Sequence, residues 1–238
     1  MQEKFLYTND NIKIAINHYD KGNDNVLIII PGWFMTKDSK AFLDISKSFA
    51  KEMDVICLDC RGHGKSRGFY TFTAKETEDI KAVVDFAKSK YKKVYLAGFS
   101  LGGALAVIHG GINQNVDKII AVSVPSSFSK IENQMWHYNA WIPTIKKFEF
   151  ARWVSVRPSI IPFKKIKPVD VIKNICVPTL FIAGGKDVTV KKWHTEKLFE
   201  LAVCKKKYVL FEDCIHAEDI FLQEKDKFIQ TCLDWLQD

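Results

Sequence analysis

The stretch VYLAGFSLGGALAVIH, residues 94–109, decides the fold. It contains Gly98-Phe99-Ser100-Leu101-Gly102, a G-x-S-x-G pattern that follows an apolar, β-rich run and precedes a run of small and apolar residues. A serine in a tight turn from a strand into a helix has a strained backbone, and small neighbours are needed to avoid clashes. The stretch therefore predicts a strand over 94–97, a sharp turn that presents Ser100, and a helix over 104–109.

Outward from this stretch, short apolar runs alternate with amphipathic segments. Residues 26–30 form a continuous apolar run that ends at Pro31-Gly32, as expected for a strand buried on both faces. Residues 77–90 carry apolar side chains at helical spacing. This alternation is typical of a mostly parallel sheet covered by helices. The other predicted strands are 13–19 (antiparallel), 54–58, 118–124, 179–183 and 207–211, and the other predicted helices are 41–50, 193–201 and 226–236.

The alternation stops at about residues 126–168, where aromatic residues and prolines accumulate. This segment contains Trp136, Trp141 and Trp153 and four of the seven prolines of the chain. An insertion in a regular α/β pattern is more often a lid or cap than a second domain. We therefore predict a single domain, residues 1–238, with a cap inserted at about 126–168.

Length and composition favour one ordinary globular domain, since 47% of the 238 residues are hydrophobic and 26% are charged. Much of the net charge of +7 comes from short lysine runs, and no recognisable module for reading nucleic acid accompanies them, so no nucleic-acid partner is expected. The sequence has no apolar run long enough to span a membrane, and its first residues do not resemble a signal peptide. We expect a cytoplasmic protein without an integral membrane segment, and its oligomeric state stays open.

Cys57-Leu58-Asp59-Cys60 has the spacing of a redox or metal-binding pair. A zinc site would need two further ligands, and the other four cysteines form no second close pair. A redox motif normally lies at a helix N-terminus, whereas a glycine-containing loop follows here. We therefore interpret both cysteines as reduced thiols packed on and near a buried strand, and we expect no metal site.

Ser100 is a poor nucleophile unless a base removes its proton and a third group orients that base. In this architecture an acid and then a histidine are expected downstream of the nucleophile. Asp187 and His216 each follow a predicted strand, at the sheet edge where Ser100 also emerges. The sequence therefore predicts Ser100 as nucleophile, His216 as general base and Asp187 as orienting acid. The alternative acids are Asp59, Asp213 and Asp219.

Four blocks resemble the α/β-hydrolase superfamily, and the resemblance runs across nearly the whole chain. They are residues 31–34 (PGWF), 59–66 (DCRGHGKS), 98–103 (GFSLGG), and 184–187 (GGKD) with 215–216 (IH). The chain is similar to the branch with monoacylglycerol lipases, lysophospholipases, cinnamoyl and feruloyl esterases and prolyl-type aminopeptidases. The resemblance implies an eight-stranded type of mostly parallel sheet flanked by helices, with a small cap. It also implies that Arg61 and His63 belong to a structural loop.

The resemblance further implies an oxyanion hole made of backbone N–H groups. Relatives carry His-Gly where this chain has Pro31-Gly32, and the residue after that glycine donates one N–H. The residue after the nucleophile donates the other, so the donors here would be Trp33 and Leu101. Pro31 does not remove the N–H of Trp33. The implied reaction is hydrolysis of a small-molecule carboxylic ester through an acyl-enzyme, which needs no metal and no organic cofactor.

The aromatic residues of the cap suggest a pocket for an apolar or aromatic acyl group, or for a single fatty chain, although aromatic residues in a cap equally serve its packing. Thioesterase and peptidase activities remain alternatives, because the same three residues serve all three reactions and a fold does not fix its substrate. A ligand-binding homologue without catalysis is another alternative, although such proteins usually lose one of the three residues. The candidate substrate-binding residues are Trp33, Phe34, Trp136, Trp141 and Trp153.

Overall fold

The computed structural model describes residues 1–131, 149, 155–161 and 163–238. In these ranges eight strands form one sheet: β1 (Gln2–Tyr7), β2 (Lys13–Tyr19), β3 (Asn25–Ile30), β4 (Asp54–Leu58), β5 (Lys93–Phe99), β6 (Lys118–Val122), β7 (Thr179–Gly184) and β8 (Lys206–Phe211). Their order across the sheet is β1-β2-β4-β3-β5-β6-β7-β8. β2 runs antiparallel to β1 and β4, and the other neighbours are parallel. The predicted eight-stranded, mostly parallel sheet is confirmed.

Helices cover both faces of this sheet. In the described ranges they are α1 (Lys40–Phe49), α2 (Glu76–Lys88), α3 (Leu101–Ile112), α4 (Pro168–Val171), α5 (Lys192–Leu201), α6 (Glu218–Gln223) and α7 (Lys225–Gln237). α2, α3 and α5 contribute to the apolar cluster on one face, and α1, α6 and α7 to the cluster on the other. Each helix in this part of the chain is too short or too polar to cross a bilayer.

The strand β3 shows why the centre of the sheet is apolar throughout. Its side chains alternate between the two faces, as in every strand. Val26 and Ile28 join the cluster under α2 and α3, whereas Leu27 and Ile29 join the cluster under α1 and α7. All four side chains are fully buried. The continuous apolar run therefore reflects a strand with helices on both sides, as predicted.

Three of the differences from the sequence-based expectation have causes in the local sequence or backbone. β1 was not predicted, because this edge strand has three polar residues before its first apolar one and stays largely exposed. α6 was not predicted either, since six residues are too few to show a helical period. β6 ends at Val122 rather than at residue 124, because Ser123 turns the backbone into the left-handed region with a φ of 49°.

A buried ion-pair network fixes the loop that follows β4. Arg61 is 3% exposed and lies between Asp79 on α2 and Asp10 in the turn after β1. Its side chain and its backbone N–H both donate to Asp79, at 2.7–2.8 Å. The Asp79 side chain is fully buried. Removing one partner of such a pair leaves the other charge buried and uncompensated.

We expect Asp79→Asn to lower the free energy of unfolding by about 3–5 kcal/mol, because it leaves the buried Arg61 with one carboxylate instead of two. The measurement is urea denaturation followed by circular dichroism. Asp85→Asn on the same helix is the matched control, since Asp85 pairs with Lys81 at the surface and should cost less than about 1 kcal/mol. Equal losses in the two variants would contradict this account of the network.

Candidate active site

Ser100 lies in a sharp turn between β5 and α3. Its φ of 52° and ψ of −113° are unusual for a residue other than glycine. The turn is held from both sides, because the N–H of Ser100 donates to the carbonyl of Val122 and its carbonyl accepts the N–H of Ala104, at 2.8 and 3.0 Å. The strained backbone presents the side chain at the carboxyl edge of the sheet, as the sequence predicts for this pattern.

Gly102 allows α3 to begin directly behind Ser100, three residues earlier than predicted. A Cβ atom on Gly102 would lie 2.1 Å from the carbonyl oxygen of Ile30, at the end of β3. Only glycine therefore permits this approach between the first turn of α3 and the neighbouring strand.

Asp187 and His216 occupy loops that follow β7 and β8, as predicted. Gly184 brings the two loops together, since a Cβ atom there would lie 2.0 Å from the carbonyl oxygen of Ile215. Backbone hydrogen bonds join the loops as well, from Lys186 to Cys214 and from Gly185 to Phe211, at 2.9 and 2.8 Å. Asp187 and His216 therefore lie on two neighbouring loops that two backbone hydrogen bonds join.

The structure brings the three predicted side chains into one hydrogen-bonded chain. Nε2 of His216 lies 2.8 Å from Oγ of Ser100, and Nδ1 lies 2.6 Å from Oδ2 of Asp187. The Asp187 side chain is 1% exposed and that of His216 is 19% exposed. With its proton on Nδ1, the ring donates to the carboxylate and accepts from the hydroxyl. This arrangement can remove a proton from Ser100.

Backbone donors orient the Asp187 carboxylate. Its Oδ1 atom accepts the N–H groups of Thr189 and Val190, both at 2.8 Å. These bonds occupy one oxygen and leave Oδ2 for His216. The carboxylate is therefore held by its own loop independently of the histidine.

The alternative acids have other surroundings. Asp213 pairs with Lys186 at 2.7 Å and its side chain is 82% exposed. Asp219 lies in the first turn of α6, where its N–H donates to the carbonyl of His216 at 2.9 Å. Asp59 accepts the N–H groups of Lys37 and Lys65, and burial raises its pKa to about 6. Among the candidate acids, Asp187 is the one that the structure places against the imidazole.

Ala217, directly after His216, repeats the backbone geometry of Ser100. Its φ of 51° and ψ of −112° precede α6 as those of Ser100 precede α3. The N–H of Ala217 donates to Oγ of Ser123, at 3.0 Å, and Ser123 is itself left-handed. The histidine loop is thus attached to the end of β6, two strands away from β8.

The loop after β3 runs beside the nucleophile. A Cβ atom on Gly32 would lie 3.3 Å from Cβ of Ser100. The loop turns sharply, since the N–H of Met35 donates to the carbonyl of Gly32 at 3.1 Å and Phe34 has a φ of 61°. In the part of the chain that the structure describes, no hydrogen bond engages the backbone N–H of Trp33 or of Leu101. Both groups remain available to a ligand.

His63 lies near this loop in a supporting position. It lines a small cavity beneath Pro31 and Gly32 together with Tyr70, whose ring centre is 4.7 Å from that of His63. Its Nδ1 atom is 3.3 Å from the carbonyl oxygen of Arg61. Burial lowers the pKa of His63 to about 4, so the ring is neutral near pH 7. A neutral, buried ring fits the structural role that the resemblance implies.

The candidate substrate-binding residues divide into two groups. Trp33 and Phe34 are half-buried and their ring centres lie 4.5 Å apart. Trp136, Trp141 and Trp153 lie outside the described residues. The structure adds Phe72, whose ring centre is 5.2 Å from that of Trp33. Sequence reasoning missed Phe72, because it stands in a loop outside every motif and only its aromatic character could have marked it.

Cys57 and Cys60 are both free and buried. Cys57 belongs to the apolar cluster on one face of the sheet and Cys60 to the cluster on the other. Burial raises the pKa of each thiol above its ordinary value. The two cysteines are therefore packing residues, as interpreted from the sequence.

In the described ranges, one group of side chains has the spacing of metal ligands: His18, Asp20 and Asp54. Nε2 of His18 is 2.6 Å from the Tyr91 hydroxyl, and Nδ1 is 3.1 Å from the Lys4 ammonium group. Ammonium groups already supply the positive charge here, since Asp20 pairs with Lys90. Asp54 accepts hydrogen bonds from Tyr91 and from the turn before β3. We interpret the group as a hydrogen-bonded network at the edge of the sheet where β4 begins.

Comparison with known proteins identifies relatives of the same architecture. The family model of the alpha/beta hydrolase fold matches residues 25–145. The uncharacterized protein YfhR of Escherichia coli O157:H7 is 25% identical over 197 residues, which cover 77% of this chain and 63% of YfhR. The chain thus spans less than two thirds of the length of that relative. The human serine hydrolase BPHL is 25% identical over 268 residues, with 94% of this chain and 86% of BPHL covered.

Solved structures share the fold over the whole chain. The Pyrococcus furiosus esterase Pf2001 superposes with a TM-score of 0.83 at 23% identity, over 99% of this chain and 91% of the esterase. The Exiguobacterium antarcticum esterase EaEST superposes with a TM-score of 0.77 at 22% identity, over 100% of both chains. At this level of identity the likeness is one of fold.

We expect Gly102→Ala to destabilise the protein by about 2–3 kcal/mol, because the added methyl group collides with the backbone of β3. The sign of the change in unfolding free energy is informative, because replacing glycine by alanine in an unobstructed helix stabilises the protein by up to about 1 kcal/mol. Urea denaturation measures the change. Gly22→Ala is the control, because Gly22 is left-handed but has open space around it and should lose only about 1–2 kcal/mol from backbone strain. A Gly102→Ala variant as stable as the wild type would contradict the close approach.

Proposed function

Because the chain belongs to the α/β-hydrolase fold family, we propose that it is a serine hydrolase that cleaves carboxylic esters through an acyl-enzyme intermediate. The observation that carries the proposal is the hydrogen-bonded chain from Asp187 through His216 to Ser100, with distances of 2.6 and 2.8 Å. The names of the relatives support it, since they include a serine hydrolase and two esterases.

In the proposed first half-reaction, Oγ of Ser100 attacks the carbonyl carbon of the ester. The hydroxyl proton moves to Nε2 of His216, which becomes positively charged. The Asp187 carboxylate keeps the Nδ1 proton in place and stabilises the imidazolium. His216 then gives the proton to the departing alcohol, which leaves the acyl group on Ser100.

Backbone N–H groups of Trp33 and Leu101 are the proposed oxyanion donors. Both lack a hydrogen-bond partner in the described part of the chain, and both flank Ser100, one in the loop after β3 and one at the start of α3. The N-terminus of α3 adds positive potential where negative charge develops. Donors fixed in the backbone need no reorganisation during the reaction, which is why such sites accelerate acyl transfer.

In the proposed second half-reaction, water replaces the alcohol. His216 is neutral again and removes a proton from this water, which attacks the acyl carbon. Collapse of the second tetrahedral intermediate returns the proton to Oγ of Ser100 and releases the acid. The residues named here complete the cycle, and we propose that no metal and no organic cofactor takes part.

We further propose that the substrate is a small ester with an apolar or aromatic acyl group. Trp33 and Phe34 support this, because their rings contact each other, with centres 4.5 Å apart, in the loop that carries the proposed oxyanion donor. We also keep the proposal of one domain with a cap at about 126–168, to which Trp136, Trp141 and Trp153 would contribute. This segment connects β6 with β7 and so leaves the sheet at its carboxyl edge, where Ser100 lies.

The test is hydrolysis of p-nitrophenyl esters from acetate to palmitate by the wild type and three variants. Ser100→Ala should abolish turnover, and Asp187→Asn should lower kcat by about 10⁴-fold because the imidazole loses its orientation and its counter-charge. Asp213→Asn is the control and should leave kcat unchanged, since Asp213 is a surface residue.

A wild type that cleaves no ester and is not labelled at Ser100 by a fluorophosphonate probe would contradict the proposal. That outcome would favour a ligand-binding protein without catalysis. Labelling at Ser100 without ester cleavage would direct the search to thioesters and peptides.

A further inference from the structure

We propose that Phe72 determines acyl specificity, by forming with Trp33 an aromatic wall that favours planar aromatic acyl groups. The inference rests on the proposed function and adds a substrate class to it. The aromatic wall is defined here as the rings of Phe34, Trp33 and Phe72. Their ring centres lie 4.5 Å apart for Trp33 and Phe34, and 5.2 Å apart for Trp33 and Phe72. The central ring of the wall therefore belongs to Trp33, the residue whose N–H is a proposed oxyanion donor.

The backbone at Phe72 is strained. Phe72 has a φ of 54° and Thr73 has a φ of 79°. Left-handed conformations are rare for residues other than glycine, and rarer for a β-branched residue such as threonine. Two of them in succession persist only where the surroundings hold them, and such strain is concentrated at functional sites. Phe72 is half-buried, so its ring keeps an exposed part.

The buried carboxylate of Glu76 holds this turn. It accepts the N–H of Thr71 at 2.6 Å and the N–H of Thr73 at 2.8 Å. It also accepts the Thr71 hydroxyl, which lies 3.0 and 2.9 Å from its two oxygens. These donors belong to the residues on both sides of Phe72 in the chain. Glu76 is therefore a positioning residue, which fixes the backbone and so the direction of the ring.

A second anchor comes from residues 165–166, near the end of the proposed cap segment. The Thr73 hydroxyl donates to the carbonyl of Ile166 at 2.7 Å. The ammonium group of Lys165 lies 4.7 Å from the centre of the Phe72 ring, close enough for a cation–π contact. On another side, the Tyr70 ring centre is 4.7 Å from that of Phe72. Phe72 is thus held between its own loop and residues 165–166, and its ring also contacts that of Trp33.

The wall is assigned to the acyl side of the site because Trp33 directly follows Gly32, whose Cβ position lies 3.3 Å from Cβ of Ser100. An aromatic surface there would discriminate by shape and by ring contacts. A planar acyl group such as benzoyl can place its edge or its face against the rings, which favours aromatic pairs beyond simple burial. A butyryl chain of similar reach gains only apolar contact. The wall should therefore raise kcat/KM for the benzoate relative to the butyrate.

The test compares p-nitrophenyl benzoate with p-nitrophenyl butyrate in Phe72→Leu and Phe72→Gly. Leucine keeps apolar volume without the ring, and glycine removes the ring while relieving the left-handed strain. Both should lower the benzoate-to-butyrate ratio of kcat/KM by roughly 3- to 10-fold. The loss should fall on KM for the benzoate, since neither change touches Ser100 or His216.

Two further variants separate a specificity role from a structural one. Glu76→Gln should lower the same ratio to a smaller degree, because the amide keeps one acceptor oxygen but turns an NH₂ group towards an N–H donor. Phe86→Leu is the matched control: Phe86 is a half-buried ring on α2 that contacts the His18 ring at 5.7 Å and the Lys4 ammonium group at 5.6 Å. It should leave the ratio unchanged.

The outcomes distinguish this inference from the proposed function. An unchanged ratio in both Phe72 variants, with an active wild type, would overturn the role of Phe72 and leave the esterase proposal intact. A wild type that hydrolyses neither ester would overturn both. If Phe86→Leu lowered the ratio as much as Phe72→Leu, the inference would also be overturned. The effect would then come from a general loss of packing in the protein.

Discussion

The contact between the end of β3 and the first turn of α3 is the constraint on which the candidate site depends. A methyl group on Gly102 would lie 2.1 Å from the carbonyl oxygen of Ile30, so the two segments are too close for any side chain at this position. This contact places the loop after β3 beside Ser100, and with it the N–H of Trp33. It also lets α3 start at Leu101, so that the helix N-terminus lies directly behind the nucleophile. Without the glycine, strand and helix would separate and the two proposed oxyanion donors with them.

Buried carboxylates connect the loops around this contact. Asp59 accepts the N–H of Lys37 from the loop after β3 and the N–H of Lys65 from its own loop. Asp187 and Glu76 act in the same way. Each accepts two backbone N–H groups of a nearby loop and so fixes the conformation of that loop. A carboxylate offers several acceptor sites at once, so it can hold irregular backbone where no strand or helix does. A few buried acidic residues therefore anchor these loops in addition to the close backbone contacts that pack them together.

The sequence predicted the elements whose cause is local. The run 26–30 shows a strand buried on both faces, and Gly98-Phe99-Ser100-Leu101-Gly102 shows a close-packed turn, because only such residue types satisfy those sterics. Asp187 and His216 could be named because strand ends in a parallel sheet meet at one edge. The rest depends on contacts distant in sequence. The left-handed backbone of Phe72 is held by Glu76 and Ile166, and β1 is a strand because β2 pairs with it. Neither of these long-range contacts produces a periodic pattern in the sequence.

The matched backbone of Ser100 and Ala217 has a consequence for how this sequence can change. Both residues precede a helix in a conformation that glycine would adopt without strain, yet neither is glycine. Selection for thermal robustness alone would replace them, and at Ser100 that replacement would remove the proposed nucleophile. In the proposed mechanism, the strain at Ser100 is thus a cost in stability that the native state bears at its nucleophile. The strain at Ala217 keeps the segment after His216 turned back to Ser123. The two strained positions therefore lie at the proposed nucleophile and directly after the proposed general base. At both, the proposed function would explain why the less strained residue, glycine, is not used.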